Sequence, residues 1–249
     1  MINFLKSKSN NKGEILTQNR LGFEKLNIAL GILYKEWYEL ISDQLSNSEG
    51  INLELGCGAS FINETIKNII KSDVFLNSNT DLKIDAMEVG LKYDHEISNL
   101  ILVNVFHHIS NPELFLRSAE KSLLIGGRLI MIEPSNNFWS RLVYRFVGHE
   151  KFDTEQIDWE FESNDPLLDS NQALSWIIFK RDYKKFKKLF PKFSILNKKS
   201  IMPLSYLLSG GHTYNTKVGK VFIKIIRKLE RIFFDNQFGI FDLICIEKN

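Results

Sequence analysis

A short apolar segment that runs into a glycine turn constrains the fold of this chain more than any other feature. The segment is Ile51–Leu55, and the turn after it reads Gly56-Cys57-Gly58-Ala59-Ser60. Because glycine has no Cβ, the backbone of such a turn can approach a ligand closely. The residues that follow predict a helix over about 61–71, whose first N–H groups would point toward the same ligand.

Glu54, one residue from the end of the predicted strand, limits the kind of ligand that the glycine turn can bind. A carboxylate there suits hydroxyl or ammonium donors and is a poor neighbour for a pyrophosphate. The third glycine of a dinucleotide-binding turn is also missing, because Phe61 takes its place. We therefore expect an amino-acid-bearing nucleoside rather than a nicotinamide dinucleotide, with a purely structural turn as the alternative.

Apolar strands and amphipathic helices alternate along the rest of the chain. This alternation predicts an α/β fold with a doubly wound, mostly parallel sheet. The predicted strands are 51–55, 74–76, 82–86, 100–105, 128–132, 193–197 and 242–247. The predicted helices are 19–45, 61–71, 112–124, 179–190 and 217–234.

The predicted organisation is one α/β domain with two additions. An N-terminal helical segment over 1–48 precedes the domain, which covers 49–249. Within it, 136–176 follows the fifth strand, has no clear periodicity and is rich in aromatic residues, so we interpret it as an inserted cap over the carboxyl edge of the sheet.

Bulk composition excludes several classes. A net charge of +2 over 249 residues predicts no strong attraction to nucleic acid, and the lysines of 179–190 surround their helix rather than forming a stripe. Cys57 and Cys245 have no metal-ligand or disulfide spacing, so we expect reduced thiols in a cytoplasmic protein and no metal site. Membrane-spanning and signal-peptide patterns are not evident.

Four motifs in order resemble those of class I S-adenosylmethionine-dependent methyltransferases of the small-molecule, type 11-like branch. They are Glu54-Leu-Gly-Cys-Gly58, Asp85-Ala86, Asn104-Val-Phe-His-His-Ile109 and Lys121-Ser-Leu-Leu-Ile-Gly-Gly-Arg-Leu-Ile-Met-Ile-Glu-Pro134. The resemblance covers 50–135 closely. It implies a Rossmann-like sheet of seven strands with an antiparallel last strand, and S-adenosyl-L-methionine as the cofactor.

The resemblance also implies roles for individual residues. The Gly56–Gly58 turn, with Cys57, would hold the methionyl part of the cofactor, and Glu54 would meet its amino group. Asp85 and Ala86 match the acidic-plus-small pair that binds the adenine amino group. Asn104, after the fourth strand, would line the methionine end.

The second predicted strand departs from the family pattern. Members usually place an acidic residue at its end, where a carboxylate accepts both ribose hydroxyls. No acid follows 74–76 directly. Asn77 or Asn79 would accept a hydroxyl more weakly, or Asp81 would reach back from the loop.

His107 and His108 follow the fourth strand, where an acceptor would meet the methyl group. An imidazole there is suited to act as a general base, and His108 is the first candidate. The alternatives are packing or capping roles for both, because a sulfonium methyl group can be transferred by positioning alone.

Loop residues of the cap and the C-terminal half are weaker candidates. His149, Glu150 and Asp153 would contact substrate or remain solvated, and Ser209-Gly-Gly-His212 would form part of a lid.

Two amphipathic segments combine apolar residues with basic ones, around Trp139–Val147 and over 217–234. They would either contact a membrane surface peripherally or dock on the protein's own core.

The expected function is S-adenosylmethionine-dependent methyl transfer to an oxygen or nitrogen of a small-molecule or lipid- or glycan-linked acceptor. The alternative is a methyltransferase-like binding or scaffold protein without turnover.

Overall fold

The structure is a computed structural model, and it describes residues 27–147, 150–163, 165, 169–211 and 216–249. Strands in these residues form one sheet. They are β1 (Ile51–Leu55), β2 (Ile69–Asp73), β3 (Leu82–Lys83), β4 (Ile97–Val103), β5 (Leu123–Pro134), β6 (Phe193–Ile201) and β7 (Phe241–Lys248).

Helices cover the sheet and its carboxyl edge. The α-helices of the described residues are α1 (Ile28–Ser42), α2 (Val89–Lys92), α3 (Pro112–Ser122), α4 (Phe138–Val147), α5 (Leu174–Trp176), α6 (Tyr183–Leu189), α7 (Ser205–Ser209) and α8 (Lys220–Phe233). Short 3-10 turns lie at Ile62–Glu64, Ala86–Glu88 and Phe106–His108, and a π-helical turn at Ile177–Arg181 joins α5 to α6.

The strand order confirms the predicted doubly wound sheet. Across the described strands the order is β3-β2-β1-β4-β5-β7-β6. The first five strands pair in parallel, and β7 pairs antiparallel with both β5 and β6. Because the order reverses direction between β1 and β4, a crevice opens there at the carboxyl ends of the strands, which is where ligands of such sheets bind.

Both faces of the sheet are buried, as a parallel sheet requires. Successive residues of β4 point to opposite sides, so that Leu100 and Leu102 pack in one apolar cluster of the described residues and Ile101 packs in another. The first cluster includes Phe106 of the turn after β4. The second includes Trp37 of α1, so the N-terminal helix is part of the core.

The predicted helix over 61–71 and the predicted strand over 74–76 are both wrong. A 3-10 turn at Ile62–Glu64 replaces the helix, and β2 occupies Ile69–Asp73. The apolar spacing of this segment fits a helix, but Asn68 has a left-handed backbone (φ 54°) that breaks the segment before the strand. Consequently the glycine turn does not face the N-terminus of a long helix.

Other boundaries shift by a few residues. The predicted third strand is two residues long, because Asp85 already caps the turn that follows it. The helix predicted over 179–190 is divided between the π-helical turn and α6. Of the helix predicted over 19–45, the part before residue 27 lies outside the described residues. The division into a 1–48 segment, an α/β domain and a 136–176 cap stays a prediction.

Helix α8 does not dock on the core through its predicted apolar stripe. It packs through the side that carries Arg227 and Glu230. Arg227 and Glu230 are buried, whereas Phe222 and Ile225 are 52% and 53% exposed. The buried side is held by ion pairs, since Arg227 contacts the carboxylate of Glu36 on α1 at 2.6 Å. None of the helices in the described residues has the length and apolar content needed to span a bilayer.

Candidate active site

A cavity of about 720 Å³ opens at the carboxyl edge of the sheet, where β1 and β4 separate. Its volume falls within the roughly 300–1,000 Å³ of ordinary ligand pockets. The glycine turn and the segment after β4 form its floor. Its other walls are lined by Tyr34 and Tyr38 of α1, Val143 and Tyr144 of α4, and Tyr206 of α7.

The glycine turn meets the conditions expected of a close-approach turn. Gly56 has φ +66°, and a Cβ added to it would lie 2.6 Å from a methyl group of Val105. Gly58 has φ +46°, and a Cβ there would meet no atom within 4 Å, so its backbone faces open cavity. Cys57 lines the cavity between them, and burial raises the pKa of its thiol to about 12. The thiol therefore stays protonated and is not a nucleophile.

Two buried polar atoms at the carboxyl ends of β1 and β4 lack partners among the described residues, and a third, Oε1 of Gln172, belongs to another lining residue. The two are Oε2 of Glu54 and Oδ1 of Asn104. Burial raises the pKa of Glu54 to about 8. Asn104 adopts a left-handed backbone (φ 54°), which turns the chain immediately after β4. Because buried oxygen acceptors normally have donors, these two indicate that a ligand with donor groups completes the wall.

Asp73 places a carboxylate at the end of β2, where the predicted strand boundary had left none. It is the last residue of β2 and lines the cavity. Its Oδ2 accepts a hydrogen bond from the Gly58 N–H at 2.9 Å, and its Oδ1 accepts one from Phe75 at 3.1 Å. Burial raises the pKa of this carboxyl group. The misplaced second strand concealed Asp73, since the true strand ends on it.

The remaining residues predicted to bind a cofactor are divided between the cavity and its surroundings. Asp85 and Ala86 line the cavity, and Asp85 Oδ1 caps the following turn by accepting the Met87 N–H at 2.8 Å. Asn77 is not among the lining residues. Its Oδ1 accepts the N–H of Asn79 at 2.7 Å, which shapes the loop instead. The cofactor-binding assignments stay predictions.

His107 lies in the opposite wall against a carboxylate buried at the end of β5. Its Nδ1 is 2.6 Å from Oε2 of Glu133. The other oxygen of Glu133 accepts the N–H groups of Val105 and Phe106, both at 2.8 Å, so its position is fixed. Burial disfavours the charged imidazole, but the charge and hydrogen bond of Glu133 outweigh it and raise the pKa of His107 to about 9. Glu133 has no predicted role, although it stands in the quoted motif.

His108 and Glu150 complete this wall. Burial and the neighbouring His107 charge lower the pKa of His108 to about 4, so it is neutral at pH 7. Glu150 comes from the cap, with Oε2 3.2 Å from Nε2 of His107 and 4.0 Å from Nε2 of His108. Burial opposes its charge, but the hydrogen bond from His107 dominates and lowers the pKa of Glu150 to about 2.

The other weak candidates have mixed outcomes. Asp153 pairs with Lys151 at 2.9 Å and is not among the lining residues. Gly210 and Gly211 line the cavity, as a lid segment would. His149 and His212 lie outside the described residues.

Comparison with solved structures identifies the fold. A possible histamine N-methyltransferase from Thermotoga maritima aligns with 95% of this chain and 99% of its own, at TM-score 0.56 and 15% identity. A SAM-dependent methyltransferase from Archaeoglobus fulgidus covers 87% and 93%, at TM-score 0.51 and 15% identity. The geranyl diphosphate C-methyltransferase of Streptomyces coelicolor A3(2), solved with Mg²⁺, geranyl diphosphate and S-adenosyl-L-homocysteine, covers 92% and 84%, at TM-score 0.52 and 11% identity.

By sequence, neither a protein-family model nor a curated protein matches this chain. At identities this low, the structural likeness shows that the chain has the fold of S-adenosylmethionine-dependent methyltransferases, and the predicted fold class is confirmed.

Proposed function

We propose that the cavity binds S-adenosyl-L-methionine and that the protein transfers its methyl group to a small-molecule acceptor. One observation carries the proposal: the carboxyl ends of β1 and β2 bring Glu54, the open backbone of Gly58 and Asp73 into one wall. The unpartnered Oε2 of Glu54 suits an ammonium group. Asp73, beside the turn, suits a ribose diol.

Other lining residues are suited to the rest of the cofactor. Asp85 and Ala86 also line the cavity and would meet the adenine amino group. Asn104, with its buried unpartnered oxygen, would face the methionine end. When bound, the cofactor supplies an electrophilic methyl group on a sulfonium. The chain's own contribution is to exclude water and hold the acceptor in line with the carbon–sulfur bond.

We infer that the acceptor reaches the methyl group beside His107 and His108 and is methylated on oxygen or nitrogen. The raised pKa of His107 keeps its ring protonated at neutral pH, so it is not a base. His108 is neutral, and the general-base prediction therefore rests on it alone. The aromatic residues Tyr34, Tyr144 and Tyr206 shape the acceptor side of the cavity.

Calorimetric titration of S-adenosyl-L-methionine and S-adenosyl-L-homocysteine into the purified protein tests the cofactor assignment. Micromolar binding is expected, and Asp73→Asn and Asp85→Asn should each weaken it about tenfold or more, since each removes a charge-assisted hydrogen bond. Glu160→Gln is the matched control, because Glu160 is exposed and outside the cavity. A folded protein that binds neither compound would contradict the assignment.

Turnover separates the enzyme from the alternative of a scaffold that binds without reacting. Incubation with radiolabelled S-adenosyl-L-methionine and a panel of hydroxylated and amino acceptors should label at least one acceptor. Tight cofactor binding with no labelled product in any acceptor class would favour the scaffold.

We place the protein in the cytoplasm, because its two cysteines are both free thiols.

The exposed face of α8 supports peripheral membrane contact and, with it, a lipid- or glycan-linked acceptor. Val221 and Ile232 are 73% and 61% exposed, beside the apolar Phe222 and Ile225. Exposed lysines flank this apolar stripe. Such a face buries its apolar side in a bilayer interface while its lysines attract anionic headgroups.

Sedimentation with vesicles tests this contact. Binding should increase with the fraction of anionic lipid, and Phe222→Ser combined with Ile225→Ser should abolish it. Ile157→Ser is the control, because Ile157 is 85% exposed on another segment. Equal sedimentation with neutral and anionic vesicles would argue against the contact and leave a freely diffusing small-molecule acceptor.

A further inference from the structure

His107, His108 and Glu150 place three potential metal-ligand atoms within 4.8 Å of one another in the cavity wall. Oε2 of Glu150 lies 3.2 Å from Nε2 of His107 and 4.0 Å from Nε2 of His108. Ligand atoms bound at about 2.1 Å around one ion are separated by roughly 3 to 3.5 Å. The pair of Glu150 and His107 already has this spacing, whereas the widest pair, at up to 4.8 Å, would need to close by about 1.3 Å to share an ion.

The outer nitrogens of both histidines are held by oxygen acceptors. Nδ1 of His107 contacts Glu133 at 2.6 Å, and Nδ1 of His108 lies 3.2 Å from the Asp169 carbonyl. A carbonyl oxygen only accepts, so the proton of a neutral His108 sits on Nδ1 and its Nε2 presents a lone pair. Metal-binding histidines are oriented in this way, with the second nitrogen donating to a carboxylate or a backbone carbonyl.

An ion pair alone does not account for the whole cluster. A protonated His107 would donate from Nε2 to Glu150, but His108 would then direct a lone pair toward the same carboxylate. Beside them, Oε1 of Gln172 is buried and has no partner in the described part of the chain. Nε2 of Gln172 and the hydroxyl of Ser170 steady Glu150, at 3.2 and 3.3 Å. The wall thus brings a carboxylate and an imidazole lone pair together next to a side chain with an unpartnered amide oxygen, and a cation would satisfy such acceptors.

We propose that Nε2 of His107, Nε2 of His108 and the carboxylate of Glu150 bind one divalent transition-metal ion. Two imidazoles and one carboxylate favour Zn²⁺, Co²⁺ or Fe²⁺, whereas Mg²⁺ and Ca²⁺ prefer oxygen ligands. Binding displaces the proton from His107 Nε2 to solvent. Three protein ligands would leave coordination positions open to a ligand in the cavity, which all three residues line.

This inference rests on the proposed function and sharpens its acceptor. An acceptor with a hydroxyl group and a second oxygen beside it would chelate the ion, and the bound hydroxyl would lose its proton to solvent more readily. The oxygen would then form its bond to the methyl carbon as the carbon–sulfur bond breaks and the electron pair stays on sulfur. His108 would serve as a ligand and not as a base.

The test uses metal ions alone, with tag-free, chelator-treated protein. Titration with Co²⁺ should give one ion per chain and a visible d–d absorption band, Zn²⁺ should displace Co²⁺, and Mg²⁺ should not. His108→Ala and Glu150→Gln should each lower the affinity at least tenfold. His95→Ala is the control, because His95 is exposed and paired with Asp94 on the surface. Circular dichroism checks that each variant is folded.

Absence of binding, or equal binding by His108→Ala and His95→Ala, would overturn the metal site. The cofactor titration is independent, so protein that binds S-adenosyl-L-homocysteine but no metal retains the proposed function without this inference. If an acceptor is found, full activity after chelation together with loss of activity in His108→Ala would assign His108 as the base. That outcome would also overturn the metal site.

Discussion

Two buried charged clusters of the described residues differ in whether a ligand cavity borders them. In the helix cluster, Arg227 of α8 contacts Glu36, Glu230 and Asp235 at 2.6, 2.5 and 3.1 Å. The spare oxygens of that cluster are also used, since Glu230 Oε1 accepts the N–H groups of Leu204 and Ser205.

The cavity cluster, formed by His107, His108, Glu133 and Glu150, is hydrogen-bonded within itself but borders a cavity on its inner side. Glu133 is anchored by backbone donors, but the inner atoms face a cavity where Gln172 Oε1 has no partner in the described residues. A network closed on itself stabilises helix packing, whereas one left open toward a cavity is available to a ligand. The contrast separates charges that hold helices together from charges that a ligand in the cavity could reach.

The largest expected effect comes from opening the closed network. Arg227→Met keeps much of the volume but leaves the buried carboxylates of Glu230 and Asp235 without their cation, so the free energy of unfolding should fall by about 3–5 kcal/mol. Equilibrium unfolding in urea measures it. Arg231→Met is the matched control, because Arg231 also contacts Glu36 but is 53% exposed. It should cost about 0–1 kcal/mol.

If Arg227→Met and Arg231→Met lose the same stability, the helix cluster does not hold α8 against α1. In that case the buried ion pairs of the helix cluster would stabilise the fold no more than an exposed ion pair does.

The orientation of α8 shows where sequence patterns stop being informative. Its apolar stripe is obvious from spacing, but which side packs depends on Arg227 finding Glu36, which is remote in sequence. Buried charge with a specific partner outweighs the ordinary preference for docking an apolar stripe, and only the folded chain reveals the partner.

The sheet was largely predictable, because β4 and β7 contain continuous apolar runs and β1 alternates apolar with polar residues before the glycine turn. The region of β2 was not predictable, because Ile62, Ile66 and Ile70 have the spacing of one helix face. The structure instead has a 3-10 turn and then β2 in this region. One error there concealed Asp73.

The cavity wall was predictable only in part. The glycine turn, Glu54 and Asp85 follow from motifs, and all of them line the cavity. The pairing of His107 with Glu133 depends on the register of β4 against β5, and Glu150 depends on how the cap folds back. Neither dependence leaves a local signal in the sequence.

The next largest effect is a pH dependence of stability from the cavity cluster. His107 has a pKa of about 9 when folded against about 6.5 when unfolded. Its protonated form is therefore favoured by folding, so its contribution is complete below pH 6.5 and is lost as the pH rises through 9. The free energy of unfolding should fall by about 2–3 kcal/mol across this window.

Urea unfolding at several pH values, with chelator present, measures this dependence. Glu54 also lowers the free energy of unfolding as the pH rises from about 4.5 to 8, because its raised pKa keeps the carboxyl group protonated in the folded state. His107→Gln should remove the part above pH 8, whereas His95→Gln should leave the whole profile intact. A wild-type profile that is flat between pH 8 and 9 would show that Glu133 does not hold the proton on His107.

The smallest expected effect concerns ligand binding at Glu54. In the free protein its carboxyl group, with a pKa of about 8, is mostly protonated at pH 7. An ammonium group of S-adenosyl-L-homocysteine prefers the carboxylate, so binding should release nearly one proton. While the ammonium stays charged, the affinity should rise between pH 6 and 8 by up to about tenfold per unit, or about 1.4 kcal/mol.

Calorimetry in two buffers of different ionisation enthalpy counts this proton. Glu54→Gln should bind without proton release and with an affinity that does not vary with pH, because the amide cannot titrate. Asp73→Asn should bind more weakly but still release the proton, since its carboxyl group would face the ribose and not the ammonium. Proton release that persists in Glu54→Gln would place the titrating group elsewhere in the cavity. The open wall at Glu54 would then not be the site of the amino group.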